Sequence, residues 1–226
     1  MKRSIIPIII FGFIALFLTS CDKDNYNPPK ITLTGKVTYN GEPIGVRGTD
    51  RQVQMQLWQD GYDLYEPIEV YIDQEGSFTA KVFKGEYKLV SRDNHGPWVN
   101  NRDTVFVNVK GNMEVDYPVT PYYILSNVNI TSSGNIVTAT FDIDQITAGK
   151  NIESIHLYVN RTQFVDQDNK KIDVTDPSLT TGSHTLTADM SSFTKPNEQI
   201  MYARIGVKIA GVNHTLYSTG AVKVRG

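Results

Sequence analysis

From Ile31 onward, apolar and polar residues alternate with a period of two. Ile31, Leu33, Gly35, Val37 and Tyr39 fall on one side of an extended chain, with Thr32, Thr34, Lys36 and Thr38 on the other. The rhythm returns at Val53, Met55 and Leu57, at Ile68, Val70 and Ile72, at Phe78, Ala80 and Val82, and at Tyr87 and Leu89. Residues 104–109 and 113–119 keep it. Asn40-Gly41, Asp73-Gln74-Glu75-Gly76 and Lys84-Gly85 separate the runs with turn chemistry. Short alternating runs joined by turns, with no long amphipathic helix, predict an antiparallel β-sandwich over residues 31–120.

Pro118 and Pro121 interrupt the pattern, because proline cannot donate to a strand ladder. This places a domain boundary between residues 120 and 121. Residues 121–226 then alternate again. Ile124, Ser126, Val128 and Ile130 would share one face, and Val137, Ala139, Phe141 and Ile143 the next. Ile155 to Val159, Leu186 to Met190, Met201 to Ile209 and a final Val222 and Val224 follow. The second half is predicted to be an immunoglobulin- or fibronectin-like sandwich, without the cysteine pair of antibody domains. The fold expected for the whole is all-β, two antiparallel sandwiches in tandem.

The first 30 residues follow another logic. Lys2 and Arg3 precede an apolar run from Ile5 to Leu18, long enough for the ~7–15-residue core of a secretory signal but short of the ~20 residues that span a bilayer. Small residues then lead to the only cysteine, in Leu18-Thr19-Ser20-Cys21. The stretch resembles the lipobox of bacterial lipoproteins. That resemblance implies removal of residues 1–20 and acylation of Cys21; the alternative is an ordinary secreted protein with a free cysteine. Residues 21–30 end in Pro28-Pro29 and read as an extended tether. Asp22 and Asp24 resemble the export signal of lipoproteins displayed on the outer face of some outer membranes; a solvated linker explains them equally well.

Charge and cysteine content narrow the partners. The formal net charge is −2, and the first 20 residues hold two bases and no acid, so the remainder stands at −4. Without a basic cluster, nucleic acid is excluded as the expected partner. With Cys21 acylated, no thiol is left for a disulfide, zinc or iron–sulfur site.

Candidate chemistry is sparse. His95, His156, His184 and His214 lack metal-ligand spacing, and neither a G-x-S-x-G elbow nor a phosphate-cradling glycine loop occurs. Asp166-Gln167-Asp168-Asn169 begins like a calcium loop, but Lys170, Lys171 and Pro177 break the pattern, and a solvated turn is the expected reading. Asn-x-Thr sequons at Asn129, Asn160 and Asn213 read as chance. No catalytic residue, metal or cofactor is expected, and the chain is read as a non-enzyme.

One segment interrupts the strands of the first sandwich. Residues 92–103 gather Trp98, His95, Asn100, Asn101 and Arg102 in a loop longer than a usual hairpin. As a recognition loop, Trp98 would stack on a sugar or protein partner while the amides, imidazole and guanidinium hydrogen-bond it. Alternatively, Trp98 packs against the sandwich end or the second domain. Trp58, Tyr62 and Tyr65 are weaker aromatic candidates.

The pieces "GKVTYNGEPI", "VQMQLW" and "DQEGSFTAKVFKGEYKLV" resemble the transthyretin-like, carboxypeptidase-regulatory-like domain. Gly35, Val37, Asp73, Gly76, Phe78, Gly85 and Tyr87 carry that likeness, which concerns fold rather than activity. Lipobox and paired sandwiches together resemble a family of two-domain surface lipoproteins of unknown function, encoded beside starch-utilisation-type outer-membrane transporters. The resemblance implies a lipid-anchored outer-membrane protein facing the exterior and assisting glycan or peptide capture beside a transporter complex. The competing expectation is a structural spacer or protein–protein module.

Overall fold

The structure, a computed structural model, describes residues 27–226. The leader 1–20, Cys21 and linker residues 22–26 lie outside the described residues.

The first sandwich uses β1 (Ile31–Tyr39), β2 (Glu42–Pro43), β3 (Gln54–Trp58), β4 (Ile68–Tyr71) and β5 (Ser77–Val82). It is completed by β6 (Gly85–Ser91), β7 (Val105–Val109), β8 (Met113–Glu114) and β9 (Tyr117–Pro118). One sheet is built on β1, with β2 and β5 antiparallel to it; the other runs β4-β3-β6-β7. Most of the predicted inward residues are buried, Ile68 being an exception at 41% exposure and Ile31 and Tyr39 half-buried. Leu33, Val37, Met55, Leu57, Phe78, Val82, Tyr87 and Leu89 are all at most 3% exposed. Each such large aliphatic side chain contributes roughly 1.5–3 kcal/mol by leaving water.

The turn chemistry also holds. Gly76 takes φ +80°, and Asp73 Oδ1 accepts the amides of Glu75 and Ser77 at 3.0 and 2.8 Å. One pairing departs from the antiparallel expectation: β8 and β9 run parallel to β1. After β7 the chain crosses to the other sheet and meets β1 travelling the same way. Side chains replace part of the ladder there. Asn112 Oδ1 accepts the Thr32 amide at 2.9 Å, and Asp116 Oδ1 accepts the Lys36 amide at 2.8 Å.

The second sandwich comprises β10 (Tyr123–Ser133), β11 (Ile136–Gln145), β12 (Ile152–Asn160), β13 (Ile172–Asp176), β14 (Gly182–Asp189), β15 (Met201–Ile209), β16 (Leu216–Tyr217) and β17 (Val222–Arg225). One sheet runs β10-β11-β14. The other runs β13-β12-β15-β16, and β17 also pairs with β15. No α-helix occurs among the described residues. The alternation fails at a bulge between Ser126 and Asn129, with Asn127 at φ 51°, which leaves Val128 37% exposed instead of inward; Val222 on β17 is also exposed.

Residues Ile31–Gly226 cluster as one unit, and a continuous apolar core runs through both sandwiches by way of Trp98, Val119 and Tyr123. Two main-chain bridges cross the junction. Gly45 pairs with Tyr217, whose amide donates to the Gly45 carbonyl at 3.0 Å. Trp98 pairs with Pro121. A Cβ at position 45 would lie 2.3 Å from the Tyr217 oxygen, so only glycine permits this approach.

Candidate functional site

The 92–103 loop closes on itself. Arg102 pairs with Asp93 at 2.7 Å, and Asn100 exchanges two hydrogen bonds with Asn94 at 2.8 and 2.9 Å. The Asn101 amide is bonded to Asp103. Below them the Tyr117 hydroxyl donates to the Asp103 carbonyl at 2.6 Å and accepts the Ser91 amide at 3.1 Å. Asn100, Asn101 and Arg102 therefore hold the loop in shape instead of offering an open set of donors. Trp98 corrects the stacking expectation directly: it is only 3% exposed. Its ring lies over Gly96, where a Cβ would come within 2.1 Å of it. A ring shut in at the junction has no face to give a ligand.

His95 has a different fate. It lines a cleft of about 270 Å³ at the junction, together with Arg47, Gln52 and Asn94 of the first sandwich and Gln167, Asn213, His214, Thr215 and Tyr217 of the second. The two imidazoles stand 5.4 Å apart, centroid to centroid. Burial pushes both toward the neutral form, and His214 falls to about 4. Beside them Arg47 pairs with Asp50, Asp166 and Asp168. Asp166 also accepts the Thr49 hydroxyl and, through Oδ1, the amides of Asp168 and Asn169 at 2.9 Å. The segment that starts like a calcium loop is thus a turn tied to the first sandwich by Arg47 and Thr49. His156 and His184 face Asp173 and Asp176 at 2.7 and 2.8 Å, away from this pair.

Trp58, Tyr65 and Phe106 gather on the outer face of the β4-β3-β6-β7 sheet, while the exposed Phe83 and Phe164 lie outside its strands. Alternation sends Gln54, Gln56 and Trp58 of β3, Lys88 and Val90 of β6, and Phe106 of β7 to that face, with Arg92 just past the end of β6. Register aligns Trp58 with Lys88 and Lys88 with Phe106, so the three form one row across three strands. Phe106 is 76% exposed. Tyr65, from the β3–β4 connection, lies against Trp58 with centroids 4.9 Å apart at 34°. Tyr62 from the same connection is 62% exposed.

Polar groups surround these rings. Lys88 Nζ holds Asp60 at 2.6 Å, and that hydrogen bond lowers the Asp60 carboxyl below its ordinary range. Arg92 reaches Gln54 and Glu69, while the Tyr71 hydroxyl donates to Glu69 at 2.7 Å. Two adjoining hollows share Lys88: about 380 Å³ beside Phe106 and Asp60, and about 240 Å³ beside Trp58, Tyr65 and Arg102. Neighbouring strands lie ~4.8 Å apart, so Trp58 and Phe106 are roughly 10 Å apart at their backbones. One pyranose ring cannot cover both; an extended saccharide can. Trp58 and Tyr65 were visible as aromatics in the sequence. Phe106 was overlooked because it sits among the valines of "VFVNV", yet its phase opposite Val105 and Val107 is the signal that points it outward.

Comparison with known proteins bears on this arrangement. Residues 31–120 match the N-terminal domain of a protein of unknown function, DUF3823, and residues 123–221 match the domain of unknown function DUF3823_C. A DUF3823 family crystal structure from Parabacteroides merdae is 39% identical, covering 88% of this chain and all of that one, with a TM-score of 0.79. The chain belongs to the DUF3823 family. A second DUF3823 structure, from Bacteroides ovatus, is 36% identical over 87% of this chain and 99% of that one, with a TM-score of 0.77. A protein from Bacteroides uniformis, provisionally called a carbohydrate binding protein, shares the fold at 19% identity and a TM-score of 0.67, covering 87% of this chain and 99% of that one. No curated protein matches the chain. In this DUF3823 protein, then, the pairing of two domains is a family architecture.

Proposed function

We propose that this DUF3823 protein is a non-enzymatic, lipid-anchored accessory of the bacterial outer membrane, facing the exterior, that captures an oligosaccharide beside a transporter. The row Trp58–Lys88–Phe106, extended by Tyr65, carries this reading. Ring faces receive the apolar side of sugar residues, while Lys88, Asp60 and Gln56 can bond hydroxyls at the rim. The provisional carbohydrate-binding description of the Bacteroides uniformis protein supports it at the level of a shared scaffold. Anchoring rests on the lipobox-like stretch ending in Cys21.

The test is affinity electrophoresis of the soluble portion, residues 22–226, in gels containing α-glucans, β-glucans, xylans, mannans and pectins. Retardation by at least one polysaccharide, weakened in Phe106→Ala and Trp58→Ala, is expected. Unretarded wild-type protein in every gel rejects the proposal.

The exposure of Phe106, Leu64 (72%) and Tyr62 also favours a second reading, in which the same face docks on a protein partner. Cross-linking in intact outer membranes discriminates the two. A transporter component joined to this sheet face, together with indifference to glycans, favours docking.

A further inference from the structure

The junction cleft differs from its surroundings in how its polar groups are used. Across most of the seam, donors and acceptors are matched: Arg47 with three aspartates, Arg204 with three carbonyls, and the 92–103 amides with one another. Around the cleft the side chains are anchored at one end only. His95 Nδ1 lies 3.0 Å from the Gln52 carbonyl, which can only accept, so Nδ1 carries the hydrogen and a neutral ring presents Nε2 as an acceptor. His214 faces the same cleft, and the nearby Asn94 backbone favours its protonated form. Gln167 uses Oε1 to accept the Thr215 hydroxyl at 2.8 Å, leaving its amide hydrogens for the cleft. The side-chain amides of Gln52 and Asn213 complete the lining.

This set mixes donors and acceptors, and its one charged member, Arg47, is already engaged by three aspartates. Hydroxyl groups, which donate and accept at once, are its chemical complement. A volume of about 270 Å³ lies just below the ~300–1,000 Å³ common for small-molecule pockets, room for one ring rather than a chain. We infer that the cleft between the two sandwiches is a second binding site, taking a single uncharged sugar ring through Gln52, His95, Gln167, Asn213 and His214. The suppressed basicity of both imidazoles keeps their acceptor nitrogens available at neutral pH. This site shares no residue with the sheet face and does not depend on it.

The experiment is a long-range ¹H–¹⁵N imidazole correlation spectrum of residues 22–226, titrated with D-glucose, D-galactose, D-mannose, D-xylose, L-arabinose and N-acetyl-D-glucosamine, with D-glucuronate as the charged control. At least one neutral sugar should shift the His95 and His214 nitrogens saturably while leaving His156 and His184 unmoved. Gln52→Ala, at an exposed position whose side chain supports no strand, should weaken that titration about 2- to 12-fold, the worth of one hydrogen bond. Gln167→Leu should do the same in a variant whose amide fingerprint remains native. Silence of both imidazoles with every neutral sugar overturns the inference, as does tighter binding of glucuronate. A sugar that moves only Trp58 and Phe106 signals also overturns it, while leaving the sheet-face proposal standing.

Discussion

Arg204 Nη2, on β15 of the second sandwich, donates to the carbonyl of Gln74 in the first at 2.6 Å. The same guanidinium reaches the Val46 carbonyl at 2.9 Å and the Ser218 carbonyl at 2.8 Å, and lies 4.5 Å from the centre of the Tyr217 ring. It is 1% exposed. Burial draws its pKa down to about 10, so it stays cationic at neutral pH, satisfied by carbonyl dipoles and an aromatic face. Replacing it strands several acceptors in a dry seam. Arg204→Met should cost about 3–5 kcal/mol and lower the urea midpoint sharply. Arg204→Lys should recover only part, because an ammonium lacks the planar fork that spans these carbonyls. An unchanged midpoint for Arg204→Met would show that the guanidinium is dispensable.

Trp98 and Trp58 should respond oppositely to truncation. Trp98 is enclosed, so Trp98→Ala should destabilise by about 3–5 kcal/mol while leaving glycan retardation intact in protein kept cold enough to remain folded. Trp58→Ala should leave the denaturation midpoint nearly unchanged and weaken glycan binding roughly tenfold, equivalent to about 1.4 kcal/mol. Parallel denaturation and gel-retardation series check both, and a reversed pattern would refute the assignment of roles.

Acid should loosen the junction through His214. Its pKa falls from an ordinary 6.5 to about 4 on folding, through burial and the neighbouring His95, Lys208 and Arg47, against the Asn94 carbonyl, which favours the charged ring. Between those values the unfolded chain binds the proton and the folded one does not, so stability is greatest above pH 6.5 and drains away toward pH 4. Such a displacement is worth about 3 kcal/mol at a fully buried site. His214 is half-buried, so about 1–2 kcal/mol is expected. Urea midpoints at pH 7 and pH 4.5 should differ more for the wild type than for His214→Gln; equal pH dependence would refute it.

Anchoring can be tested without reference to ligand. Cys21→Ala in the full chain should abolish labelling by radioactive palmitate and move the protein from the membrane to the soluble fraction. Each lost acyl methylene removes about 0.8 kcal/mol of partitioning. Continued membrane association of the variant would point to another attachment.

Legibility in the sequence followed the range of the forces involved. Strand positions depend on neighbours two residues away, and the alternation from Leu33 to Ile209 located nearly every buried side chain. The polyglycine-like closeness of Gly45 to Tyr217, the reach of Arg204 to Val46 and the meeting of His95 with His214 join distant residues, and no periodicity encodes them. Val128 was misplaced because a bulge resets the phase without a glycine or proline to mark it. Among the candidate ligand residues, His95 reached a cavity, whereas Trp98 went inside and Asn100, Asn101 and Arg102 were spent on their own loop. A tryptophan beside glycine and proline can be inserted or displayed, and its bridge to the distant Pro121 is not encoded in its neighbours.

The bridge between Gly45 and Tyr217 carries a consequence for inheritance. Sandwich modules are commonly exchanged by recombination as though they were beads on a thread. Here a foreign second half would need a main-chain amide and carbonyl placed to meet a residue without a side chain, as well as a guanidinium to plug into the first half's backbone. The halves should therefore travel through genomes as a pair, each obliging the other to stay.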